Sequence, residues 1–213
     1  MKNLFLVPLV VLFSATTIYA QSDEITPQFG VKGGVNLSTV AGDDIGDQDL
    51  LTSFHLGLFM EIPISERFSF QPEVLYSGQG FTAVTRDESN FFNTDGNVDY
   101  KLSYIQVPLM AKFYLVKGLY AEAGPQFGFK VKEEIDFNSD SDGGDIEIDS
   151  DDSQIKDFDT SLALGAGYKF DNGFSLSARY TYGLTTIVKD DSAFLGNSDI
   201  KNAVWQFGVG FSF

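Results

Sequence analysis

The feature that most limits what this chain can fold into is a two-residue alternation, held over segments longer than ordinary strands. At the C-terminal end, Trp205, Phe207, Val209, Phe211 and Phe213 alternate with Gln206, Gly208, Gly210 and Ser212. Upstream, Phe174, Leu176, Ala178, Tyr180, Tyr182 and Leu184 alternate with Ser175, Ser177, Arg179, Thr181 and Gly183. Leu162, Leu164, Ala166, Tyr168 and Phe170 alternate with Ser161, Ala163, Gly165, Gly167 and Lys169. Successive side chains of a strand point to opposite faces, so each segment has one large apolar face and one small or polar face. Five noisier segments, near 28–40, 52–62, 68–80, 101–115 and 118–131, read the same way. A tilted membrane strand needs about 9–11 residues, whereas soluble strands average about five or six. Most of these eight segments match the membrane length.

The connections alternate too. Short ones fall at 63–67, 116–118 and 171–173, where Asn172-Gly173 is a tight-turn pair. Long ones fall near 41–51, 81–100, 132–157 and 189–200. In an up-and-down barrel alternate connections share an end, so one end carries short turns and the other long loops. The face pattern points the same way. Gly, Ser, Gln, Lys and Glu cannot fill a dry core cheaply, since unpaired buried charge is costly. They suit a wet or salt-bridged lumen whose outer wall meets lipid. Aromatic residues near the strand ends suggest two interfacial girdles. The reading is all-β: an eight-stranded antiparallel up-and-down transmembrane β-barrel. A soluble β-sandwich with an aromatic core is the alternative.

The first residues stand apart. Met1-Lys2-Asn3 precede an apolar run, Leu4–Phe13, and a small-residue region ending Ile18-Tyr19-Ala20. That is the layout of a secretory signal peptide over 1–20, leaving 21–213 as the barrel domain. Composition agrees with export. Cysteine is absent, which excludes disulfides and thiolate metal sites. Glycine and phenylalanine number 21 each, and the net charge of -16 opposes binding to nucleic acid.

Several segments resemble the PorT-like outer membrane protein beta-barrel family, the small "porin family" barrels of Bacteroidetes. They are Phe29-Gly30-Val31-Lys32-Gly33-Gly34-Val35-Asn36-Leu37-Ser38, Phe70-Gln71-Pro72-Glu73-Val74-Leu75-Tyr76-Ser77 and Tyr104-Ile105-Gln106-Val107-Pro108-Leu109. Tyr120-Ala121-Glu122-Ala123-Gly124-Pro125-Gln126, Gly165-Ala166-Gly167-Tyr168, Ala178-Arg179-Tyr180 and Phe213 continue the resemblance in order. It implies location and architecture but no reaction. The last strand, with Trp205, Phe207, Phe211 and terminal Phe213, is similar to the signal read by the barrel-assembly machinery. The implied partners are that machinery and outer-membrane lipid, around a monomer in the cell outer membrane; the even strand number, with the short turns at one end, places both termini on the periplasmic side.

Three clusters are candidates for function. On the inward register Lys32, Lys112, Lys130, Lys169 and Arg179 oppose Glu61, Glu73 and Glu122. If the central hairpin folds about Lys117, Lys112 faces Glu122. An eight-stranded barrel is just wide enough for its own side chains, so these charges form a salt-bridged plug or a narrow ion path. Asp140, Asp142, Asp145, Glu147, Asp149, Asp151 and Asp152 crowd one loop. Such oxygens could hold a divalent cation weakly, the one cofactor the sequence suggests, although the spacing departs from the twelve-residue calcium loop. Otherwise the loop is solvated and self-repelling. His55, the only histidine, falls inward near the long-loop end. A rim-site enzyme could use it with Ser53 and loop aspartates, but no motif fixes them. The preferred function is non-enzymatic: long acidic loops displayed for envelope integrity or partner binding, the partner itself being unspecified.

Overall fold

A computed structural model describes residues 26–41, 48–85, 96–138, 146–147, 155–186 and 200–213. The expected signal peptide lies outside them.

Eight long strands form the wall: β1 (Gln28–Ala41), β2 (Leu51–Pro63), β3 (Phe68–Thr85), β4 (Gly96–Val116), β5 (Leu119–Asn138), β6 (Phe158–Lys169), β7 (Phe174–Gly183) and β8 (Lys201–Ser212). Each is antiparallel to its sequence neighbours, and β8 returns to β1, so the sheet closes. The closing seam runs from Gly30↔Ser212 to Ala41↔Lys201. Pairing β1 with β8 removes the two edges that an open sheet of these strands would present to water or a second chain.

The alternation sets which way each side chain points. Outward, Phe54, Leu56, Leu58, Val74, Leu164, Leu176, Trp205, Phe207 and Phe211 are all exposed. Inward, Asn36, Ser77, Gln126, Arg179 and Gln206 are buried. A water-soluble barrel has the reverse polarity, so the sandwich alternative is excluded by both closure and face. Aromatic pairs fall at both ends of the apolar belt: Tyr168–Phe170 with centroids 4.8 Å apart beside the short turns, and Tyr180–Trp205 at 4.9 Å nearer the long loops.

The short connections stand where expected. Gly118 and Gly173 take φ of +82° and +85°, which glycine adopts without steric cost. The strand limits on the other side differ from the sequence reading. β3, β4 and β5 run to Thr85, from Gly96 and to Asn138, well past the expected ends near 80, 101 and 131. Two residues, Gln48–Asp49, add to the β3 side of this extension, and Ile146–Glu147 add to β5. Much of the sequence expected as loop is therefore hairpin. It was missed because above the membrane neither face meets lipid, so the apolar–polar contrast fades.

Candidate functional site

The lumen is filled by side chains in layers. Near the short turns, Glu61 of β2 receives Lys169 at 2.9 Å and Lys112 at 3.7 Å, and Tyr114 donates its hydroxyl to the same carboxylate. Lys169 also donates to Gln28 Oε1 at 2.6 Å, and Lys112 Nζ sits 4.1 Å from the centre of the Tyr120 ring. Two clefts open at this mouth. One, of about 680 Å³, is lined by Gln28, Tyr114, Lys169 and Phe213, and the other, of about 510 Å³, by Glu61, Arg67 and Ser69.

Above lies the main ion cluster, built from four strands. Arg179 of β7 grips Glu73 of β3 with Nη1 to Oε2 at 3.0 Å and Nη2 to Oε1 at 2.8 Å. Its Nε donates to Glu122 of β5 at 2.8 Å. Lys32 of β1 reaches both Glu73 oxygens at 3.3 and 3.2 Å, and Gln71 Nε2 donates to Oε1 at 2.7 Å. The planar guanidinium presents a fork that matches a carboxylate, and its Nε–H serves the second acid. Arg179 and Glu73 are each 2% exposed. Two cations and two anions therefore neutralise one another out of water, the condition under which buried charge is tolerated.

Of the sequence-derived set, Lys32, Glu61, Glu73, Lys112, Glu122, Lys169 and Arg179 all enter the lumen. Lys112 faces Glu122 in register as expected, and its ion pair is with Glu61. Lys130 turns inward as well and pairs Glu133 at 2.7 Å.

His55 occupies the next layer, against the paired glycines Gly34 and Gly208. Its Nδ1 lies 2.7 Å from Asn36 Oδ1. Asn36 Nδ2 donates to Phe54 O, Ser77 Oγ and Gly78 O, so Oδ1 is left to accept and the proton is assigned to His55 Nδ1. His55 faces inward, as its register implies, and is enclosed there at 3% exposed. Ser53, offered as its partner, donates instead to Gly78 O at 2.7 Å. The neighbour that orients the imidazole is an amide, which cannot stabilise an imidazolium as a carboxylate would.

Toward the long loops the filling turns apolar. Val40, Leu102, Tyr104, Ile155 and Ile200 form one buried cluster. Asp159 accepts there from Thr185 at 3.1 Å and Asn202 at 3.4 Å. Sequence reasoning missed this seal, and the inward Leu75 and Met110, because large apolar residues had been assigned to lipid. The inward glutamines Gln71, Gln106, Gln126 and Gln206 and the amide of Asn36 follow from register, and carry no charge that would single them out in the sequence. The loop acids Asp140, Asp142, Asp145, Asp149, Asp151 and Asp152 lie outside the described residues, and Glu147 is placed only by its backbone pairing with Glu134. Among the described residues no group of three or more His, Asp or Glu could hold a metal.

A closed eight-stranded antiparallel barrel, apolar outside and ion-paired within, is the architecture of a small outer-membrane barrel protein. The sequence places it more narrowly: the chain belongs to the family described as the outer membrane protein beta-barrel domain, whose sequence model matches residues 19–189. Its location is accordingly the outer membrane. Among solved structures, Neisserial surface protein A superposes with a TM-score of 0.55 at 13% identity, covering 87% of this chain and 97% of that one. Ail of Yersinia pestis gives 0.43 at 19% identity, covering 87% and 98%. OprG of Pseudomonas aeruginosa gives 0.43 at 13%, covering 89% and 97%. At 13% identity the likeness to Neisserial surface protein A is one of fold. No curated protein matches in sequence.

Proposed function

We propose that this chain is an exported, monomeric, non-enzymatic barrel of the PorT-like kind, whose plugged wall holds surface loops for envelope integrity or partner binding. Residues 1–20 are the signal peptide, both termini are periplasmic, and the last strand, with Trp205, Phe207, Phe211 and Phe213, is the segment read during assembly. The observation that carries the reading is the Arg179–Glu73–Glu122–Lys32 cluster. It ties four strands together through the barrel axis, leaving a narrow lumen occupied by neutralised charge beneath an apolar seal. Such a barrel supports what stands on its rim. The hairpins of β3, β4 and β5 that overshoot the apolar belt suit display.

Cell fractionation with a heat-modifiability gel tests the location, and protease added to intact cells tests the orientation. Cleavage confined to the long loops supports it, whereas cleavage at the short turns reverses it. Planar-bilayer recording tests the plug: discrete conductance steps from the purified protein would overturn it.

A further inference from the structure

On the outward face of the wall, where β4 and β5 leave the apolar belt, two lysines stand diagonally across the strand pair, Lys132 opposite Ser103 and Lys101 opposite Glu134. Leu102 and Tyr104 of β4 are each 1% exposed and point inward, so Lys101 and Ser103 point outward. β5 carries a register step here: Tyr104 pairs Lys130, but Ser103 pairs Lys132, so Val131 is an extra residue. A β-bulge of this kind re-aims the side chains beyond it. Lys130 and Glu133 both turn inward, with side chains 4% and 6% exposed, while Val131 and Lys132 both turn outward. Were the alternation unbroken through Val131, Lys132 would enter the lumen. Ser103 then has Lys132 on one side and Gly78, which has no side chain, on the other. Lys101 lies between Glu134 and Gly80. Tyr76 of the girdle donates its hydroxyl to Ser103 Oγ at 2.8 Å, which fixes the patch at the upper edge of the belt. Lys132 is also held by Glu134.

We propose that Lys101, Lys132 and Ser103 form a binding patch for the phosphorylated headgroup of a membrane lipid. The argument is one of continuity. The patch adjoins exposed Val131, Phe129 and Tyr76, whose natural covering is acyl chain. The molecule that covers them presents its headgroup about two residues higher, some 6–7 Å along the strand. Two ammonium groups beside a hydroxyl suit a phosphate, and they occur in a chain whose net charge is -16. Under the orientation proposed above the lipid belongs to the outer leaflet.

The test uses the full-length folded barrel in phosphatidylcholine nanodiscs with diphosphoryl lipid A as probe, bound lipid being counted by native mass spectrometry. Each lysine near a membrane surface contributes roughly a fivefold gain in anionic binding, so K101A/K132A should bind lipid A about thirtyfold more weakly. K101R/K132R should keep binding. Wild-type protein should bind enzymatically dephosphorylated lipid A as weakly as the alanine variant binds the intact lipid. Equal binding of both lipids by wild type, or undiminished binding by a folded K101A/K132A, overturns the proposal. The wild-type arm decides the matter if that variant does not fold. Nanodisc binding is independent of orientation in the cell, so protease results against the proposed orientation would change only the leaflet.

Discussion

Arg179 and Glu73 meet across the lumen through two hydrogen bonds of 2.8 and 3.0 Å, although 106 residues separate them in the chain. Glu73 also holds Lys32, so removing its charge leaves two buried cations sharing one acid, Glu122. Glu73→Gln should therefore lower unfolding free energy by about 3–5 kcal/mol, measured by urea unfolding in lipid vesicles. The double variant Lys32→Met/Glu73→Met removes one charge of each sign and leaves Arg179 with Glu122. It should recover most of that loss, and a double variant as unstable as the single one would refute the accounting.

His55 is sealed inside the barrel and bonded to Asn36. Diethylpyrocarbonate should leave it unmodified in the folded protein and modify it fully after boiling in detergent, read by peptide mass spectrometry. Rapid modification of the folded form would mean that solvent reaches the site and would revive a rim-site reading.

A methyl group on Gly34 would run into the Phe207 carbonyl oxygen and approach His55 Cε1 to 2.9 Å. Backbone cannot yield there without opening the β1–β8 seam. Gly34→Val should give no heat-modifiable band, whereas Val35→Ala, on the adjacent lipid-facing position, should fold and cost only the lost methyls, about 1 kcal/mol.

Lys117 and Asp171 join two short turns at the mouth, 2.7 Å apart and fully in solvent. The hydrogen bond to Asp171, reinforced by its charge, raises the Lys117 pKa above the ordinary lysine value. A raised pKa contributes stability that is fully present below the unfolded value and is lost as pH rises through the folded one. The contribution is thus confined to neutral and acid pH and vanishes only in strong alkali. Screening makes it small, so Lys117→Ala should leave the unfolding midpoint at pH 7 unchanged in physiological salt. A clear shift would show that the turns are coupled more tightly than solvent exposure allows.

Deleting Val131 removes the extra residue of β5. Lys130, Lys132 and Glu133 would then follow one another in unbroken alternation, so that Lys132 stays outward opposite Ser103 and Glu133 stays inward opposite Leu102. The deletion should therefore fold and cost well under the roughly 3–5 kcal/mol expected for breaking a buried ion pair, measured by vesicle unfolding. Deleting both Val131 and Lys132 shifts the strand beyond Lys130 by one position, turns Glu133 outward and should cost more.

Strand number, closure and the identity of the lumen charges were legible because each depends on alternation, and alternation is strongest where one face meets lipid. Trp205 to Phe213 illustrates this. Reading failed where that contrast is lost. The upper parts of β3, β4 and β5 have no lipid on either side. Val131 breaks the period by one residue, which shifts Lys132 and Glu133 to faces that simple counting reverses. The partner of each charge was also hidden. Lys112 faces Glu122 in register yet reaches Glu61, because long side chains cross a narrow lumen to strands that hairpin counting does not compare.

The four charges of the central cluster come from β1, β3, β5 and β7, so no single hairpin and no pair of adjacent hairpins brings all of them together. A half-built sheet inserted in the bilayer would carry Arg179 before Glu73 and Lys32 had curled round to meet it. The interior therefore acts as a checksum on assembly: sealing β1 against β8 and neutralising the axis happen together, and a barrel in a slipped register is betrayed by the charge it cannot hide.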